Sequence, residues 1–157
     1  MASLLALLGF GVASFAAGIG GIAFRPGEWY QRLNKPSWRP PDWLFGPVWT
    51  FLYLTIALAG WLVWQEAGFG GAELPLSVYG IQLLLNAAWS PIVFGLHRIG
   101  WALAEMVFLW LSIVATIILF YPIHTAAAAL LVPYLCWVSF ALLLNLSVWR
   151  RNSAIPS

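Results

Sequence analysis

Residues 74–124 read LPLSVYGIQLLLNAAWSPIVFGLHRIGWALAEMVFLWLSIVATIILFYPIH: two apolar runs, Leu74–Leu96 and Ile99–Ile123, divided only by His97 and Arg98. Each run is long enough to cross a bilayer, because about 20 helical residues at about 1.5 Å each cover a hydrocarbon core of roughly 30 Å. So short a link leaves room only for an antiparallel pair of neighbouring helices. The same signal repeats outward from this pair. Ala2–Phe24 and Trp43–Gln65 precede it, Thr125–Trp149 follows it, and of the five stretches only Ile99–Ile123 contains an acidic or basic residue, Glu105.

The charges agree with five crossings. Threading the chain in this way gathers Arg25, Arg32, Lys35, Arg39, Arg98, Arg150 and Arg151 on one side and leaves Glu66, Glu73 and His124 near the other. By the positive-inside bias the side carrying the cations is cytoplasmic, which puts the N-terminus outside and the C-terminus in the cytoplasm. Composition excludes a soluble domain: 62% of residues are apolar and 8% charged, against roughly 25% charged in globular proteins. The net charge of +2 sits at span ends, where it meets anionic headgroups, so membrane lipid and not nucleic acid is the expected partner. Ala2–Phe24 has no basic n-region and stays apolar too long for a signal peptide, so it is read as structure. The expected fold is an all-α membrane protein, one domain over residues 1–157. It is a bundle of five transmembrane helices (2–24, 43–65, 74–96, 99–123 and 125–149) with a cytoplasmic cap loop between helices 1 and 2.

Within the first span Ala13, Ala17 and Gly21 recur every fourth residue beside Ser14 and Gly18. Small residues let helix backbones approach closely in lipid, either inside the bundle or between two copies. The connection 25–42, RPGEWYQRLNKPSWRPPD, holds prolines and cations that prevent it from spanning, while Trp29, Tyr30 and Trp38 suit the headgroup layer. It is a lid or an anchored loop.

Polar and aromatic groups at membrane depth need partners, which makes their helical spacing informative. Gln82, Asn86 and Trp89 share one face of the third span. They either tie helices together or line a ligand cavity. The fifth span places Pro133, Trp137, Ala141 and Asn145 at four-residue steps, and Pro133 is expected to kink it and open a hollow beside Trp137. Trp49 and Tyr53 lie one turn apart in the second span, and Trp101, Glu105, Phe108 and Ser112 form a stripe in the fourth. A mostly apolar cavity with a few polar groups is the usual form of a small-molecule site. Glu105 lies about 9 Å along its helix from Ile99, placing it either in a pairing with a loop cation or in ligand or proton handling. His97 and His124 fall on opposite faces of the membrane and no nucleophile, base and acid converge, so neither a metal site nor a hydrolytic set is expected. Cys136, the single cysteine, is expected to be a small core residue.

Taken together, KPSWRPPDWLFGPVWTFLY (35–53), QLLLNAAWSPIVFG (82–95), GWAL (100–103) and LLVPYLCWVSFALLLN (130–145) resemble the TspO/MBR family, the translocator or tryptophan-rich sensory proteins, also called peripheral-type benzodiazepine receptors. The resemblance covers almost the whole chain. It implies five transmembrane helices, homodimers, and a pocket open toward the first cytoplasmic loop. That pocket takes protoporphyrin IX and related tetrapyrroles, isoquinoline and benzodiazepine ligands, and in animal members cholesterol, with no cofactor required. Family ligand positions carry over to Trp49, Asn86, Trp89, Trp101, Trp137, Ala141 and Asn145; helical spacing adds Tyr53, Glu105 and Phe108. Trp49 and Trp137 match tryptophans implicated in light- and oxygen-dependent breakdown of bound porphyrin. One departure bears on sterol: the stretch Leu146–Arg150 lacks the central tyrosine of the animal cholesterol-recognition sequence. The expected function is a tetrapyrrole-binding membrane sensor or regulator, with a transporter of porphyrins or sterols and a porphyrin-degrading activity as alternatives. The expected location is a bacterial cell membrane.

Overall fold

The computed structural model describes residues 2–19, 29, 32–39 and 42–152, and these contain helices and connections but no strand. The helices are α1 (Ala2–Ala17), α2 (Asp42–Gly71), α3 (Glu73–Ser90), which runs on as a π-helical turn over Pro91–Gly95, α4 (Ile99–Phe120), α5 (Thr125–Leu130) and α6 (Val132–Asn152). Four rods are long and apolar enough to cross a membrane: Gly46–Gly71, Glu73–Gly95, Ile99–Phe120 and Thr125–Asn152. With α1 they account for the five expected helices, and the chain is an integral, multi-pass membrane protein. Residues 20–24 of the first expected span, and residues 25–28, 30–31 and 40–41 of the cap, lie outside the described residues.

The helices close into a ring. α1 packs on α2 and α3, α3 on α4, α4 on α6, and the α5–α6 rod returns to α2. Small residues set the closest approaches. A Cβ on Gly60 would lie 2.7 Å from Tyr79 Cζ and 2.8 Å from Phe10 Cδ1, and one on Gly18 would lie 2.7 Å from Tyr53 Cε2. Ser14 and Ala17 are buried on the same side of α1 while Ala13 is exposed. The small-residue face therefore packs within the bundle and is centred one position away from the Ala13 stripe; Gly21 lies outside the described residues.

Proline and glycine shape the rods. Pro133 has no N–H to offer the carbonyl of Ala129, and the last helical rod breaks at Leu131, whose own N–H turns back to Ala128 O at 3.1 Å. That is the kink expected from the sequence. Pro91 likewise removes a rung, and the chain widens until Leu96 N reaches Pro91 O at 3.0 Å, a π-type bond. α2 runs past the expected end at Gln65 to Gly71, because the Gly-rich segment stays helical on either side of Gly68, whose φ of 68° absorbs the bend. α4 stops at Phe120, three residues before the expected end. Ile123 N and His124 N both bond Phe120 O there, and Pro122 cannot propagate the helix.

Replacing Gly60 with Ala should destabilise the protein by about 1–3 kcal/mol, since the new methyl meets two packed aromatic rings. Gly9, which has nothing within 4 Å of its would-be Cβ, provides the control. Thermal unfolding in detergent should show a lowered midpoint for Gly60→Ala and none for Gly9→Ala.

Candidate functional site

The interior of the ring is joined by side chains from three rods. Tyr53 OH on α2 donates to Asn86 Oδ1 on α3 at 3.0 Å. Asn86 Nδ2 donates to Tyr134 OH on α6 at 2.9 Å, and that hydroxyl donates onward to Gln82 Oε1 at 2.8 Å. Tyr134 is fully buried and Gln82 nearly so, at 0% and 1% exposure. In an apolar interior such groups are costly unless paired, so the chain of bonds closes most of its own deficit. The expected amide face of the third span thus ties helices together. A parallel tie runs nearer α1, where Tyr79 OH donates to Ile56 O at 2.7 Å with Ser14 Oγ 3.4 Å away.

Aromatic rings extend from this network. Trp49 lies over Tyr53, with centroids 5.5 Å apart and planes 28° from parallel. It meets Tyr134 edge-on at 6.4 Å and Trp137 at 6.5 Å and 88°. Trp137 touches Phe140 at 5.8 Å, and Phe140 meets Trp38 of the cap segment at 5.6 Å. The path runs ring to ring from a buried hydrogen-bond network to the connection between α1 and α2. Trp49, Trp89, Trp137 and Ala141 are half-buried and pack against the core.

Not every expected residue joins this group. Trp101 and Phe108 are 69% and 64% exposed, and they stand beside the buried face of α4, not on it. That face is Ala102, Met106, Leu109, Ser112, Ile113, Thr116 and Phe120. α4 is apolar all round, so periodicity carries no signal for which stripe turns inward. Glu105 sits at the edge of the buried face. Its two carboxyl oxygens are buried and make no hydrogen bond among the described residues, so no pairing with a described loop cation is formed. On α6 the four-residue series drifts by about 40° per step relative to a 3.6-residue turn; Pro133 is exposed, Trp137 and Ala141 are half-buried, and Asn145 is buried.

The TspO/MBR family profile matches residues 2–150. The chain belongs to the TspO/MBR family. Among the relatives, the Translocator protein of Homo sapiens is 43% identical over 150 residues, 92% of this chain and 89% of the relative. Protein CrtK of Rhodobacter capsulatus is 42% identical over 142 residues, 90% and 89% of the two chains. The Tryptophan-rich sensory protein of Cereibacter sphaeroides is 42% identical over 132 residues, 84% and 82%.

In this TspO/MBR chain the ends of the bundle differ. At one end the carboxamide of Asn152 grips the cap backbone in both directions: Asn34 N donates to its Oδ1 at 3.0 Å and its Nδ2 donates to Asn34 O at 2.8 Å. Trp29 stacks on His97 with centroids 4.2 Å apart and planes 6° from parallel. The first connection, the α3–α4 link and the end of α6 therefore share one end, as the cation distribution requires. At the other end an open groove of about 790 Å³ is lined by residues that include Ser3, Trp64, Gln65, Glu66 and His124, none of which belongs to the expected site. No cluster of three or more metal-ligating side chains occurs among the described residues.

Sequence reading missed Tyr134, the residue that bonds two amides of α3. Its signal was available: a tyrosine at mid-membrane depth, beside the helix-breaking Pro133, needs a partner for its hydroxyl. Tyr134→Phe would leave Asn86 Nδ2 and Gln82 Oε1 each one bond short, and should cost about 1–2 kcal/mol of stability. The check is the unfolding midpoint in detergent, which should fall for Tyr134→Phe and stay unchanged for Tyr121→Phe, an exposed tyrosine.

Proposed function

We propose that this protein is a membrane sensor or regulator that binds a tetrapyrrole, with protoporphyrin IX as the expected ligand, against Trp49, Tyr53, Trp137, Ala141, Trp89 and the neighbouring amides of Asn86 and Asn145. The observation that carries the reading is the ring contact of Trp49 with Tyr53, Tyr134 and Trp137 beneath the cap. Indole and phenol faces suit a large flat π-system, and cations near the cap suit its propionates. The same apolar surface suits isoquinoline or benzodiazepine ligands and, less well given the missing tyrosine after Leu146, a sterol. The word sensory in the name of the Cereibacter sphaeroides relative supports the regulatory reading; the word translocator in that of the Homo sapiens relative supports a carrier of porphyrins or sterols as the second reading. The positive-inside bias supports a cytoplasmic position for the capped end.

The test is a dark titration of the detergent-purified protein with protoporphyrin IX, following tryptophan fluorescence. Saturable quenching with a dissociation constant on the order of micromolar, weakened about tenfold by Trp137→Phe, is the expected result. Quenching that does not saturate and is the same in both proteins means partition of pigment into micelles, and contradicts the reading. Under light, loss of many porphyrins per protein would establish turnover; loss of about one would mark a side reaction at Trp49 and Trp137.

A further inference from the structure

Several buried polar atoms remain after the network has closed, Gln82 Nε2 within the network itself among them, and three further side chains form a group. Trp89 Nε1, both carboxyl oxygens of Glu105 and Asn145 Nδ2 are buried with no hydrogen-bond partner among the described residues. They lie at one level of the bundle. Trp89 is as far before Gly95, the end of the π turn, as Glu105 is after Ile99, and the short link sets these two rods side by side. Two contacts fix the register of α4 against α6: Trp149 Nε1 would be 3.2 Å from a Cβ on Gly100, and Trp110 Nε1 donates to Ser139 Oγ at 2.8 Å. In that register Asn145 stands level with Ala104 and Glu105. α3 packs on α4 and α4 on α6, so one acceptor group is flanked by two donors on adjoining rods.

A buried donor or acceptor without a partner costs about 1–3 kcal/mol, and more if charged. This layer holds three such groups at the height of Asn145, about 12 Å of helix from Trp137. A ligand edge that satisfies them presents an N–H to the carboxyl group of Glu105 and a C=O to Asn145 and Trp89. A closed porphyrin does not have this edge. Its N–H groups point into the ring centre, its rim is C–H, methyl and vinyl, and its only rim polar groups are propionates, which a second carboxyl group repels. An open-chain tetrapyrrole has the edge at each terminal lactam, where N–H and C=O are adjacent and lie at a free end of the chain.

We infer that the Trp89–Glu105–Asn145 layer selects open-chain tetrapyrroles over closed macrocycles, with Glu105 receiving a pyrrole or lactam N–H. The inference rests on the tetrapyrrole reading above and deepens it: the tryptophan face holds either pigment, and Glu105 sets the preference.

The probes are biliverdin and protoporphyrin IX, titrated in the dark into the full-length protein in detergent, with Glu105→Gln and Trp137→Phe beside the parent. Glu105→Gln should weaken biliverdin by about tenfold or more while moving protoporphyrin IX by less than about threefold. Trp137→Phe should weaken both. Glu105→Gln removes an unpartnered carboxyl group from an apolar interior, so its unfolding midpoint should equal or exceed the parent's, which separates lost recognition from lost fold. Biliverdin affinity within about threefold of the parent in Glu105→Gln, or equal weakening of both pigments, overturns the inference and leaves the tryptophan site standing. Failure of the parent to bind either pigment overturns both readings.

Discussion

A polar side chain placed between membrane helices has no water to fall back on, and the architecture of this chain depends on how that constraint is met at Tyr134. Its hydroxyl accepts from Asn86 and donates to Gln82, while Asn86 accepts from Tyr53. Each bond is modest in a membrane, on average under about 1 kcal/mol. Their combined effect is positional: α2, α3 and α6 are fixed at one height and one rotation about their axes. Tyr53 is then held flat beneath Trp49, and Tyr134 stands edge-on to the same indole. The aromatic face is a consequence of the network and not a separate feature.

Two kinds of surface border that face. Toward the capped end, Trp137 and Phe140 lead to Trp38, while Asn152 fastens the cap backbone at Asn34. Toward α4 lies the layer of unmatched polar atoms at Trp89, Glu105 and Asn145. Buried polar groups of this kind lower stability unless something binds them, which is the ground on which the layer is proposed as a ligand contact. Membership in the TspO/MBR family, shown over residues 2–150, gives the fold and the broad class; the ligand preference proposed for the layer comes from the chemistry of its three side chains.

Much of this was legible in the amino-acid order alone. Span number and the sidedness of the cations followed from run lengths and from the position of each Arg and Lys. The break at Leu131 followed from Pro133, because a missing N–H is a local property. Rotational placement was less legible. Ser14 rather than Ala13, and Ala102 rather than Trp101, turn inward, and in helices apolar on every side no contrast between faces distinguishes such neighbours. The four-residue series on α6 identified Asn145 and Trp137 but passed by Tyr134, because exact steps of four rotate away from a straight contact line. The helical course of 66–71 was hidden by its glycines, which permit a turn without requiring one.

The central claim is that Tyr53, Asn86 and Tyr134 act as one unit, and a double-mutant cycle tests it most directly. Tyr53→Phe, Tyr134→Phe and the double variant would be compared with the parent by equilibrium unfolding in detergent. If Asn86 links the two phenols, the double variant loses less than the sum of the single losses, by about 0.5–1 kcal/mol or more. Losses that add within about 0.3 kcal/mol would show two independent tyrosines and contradict the account.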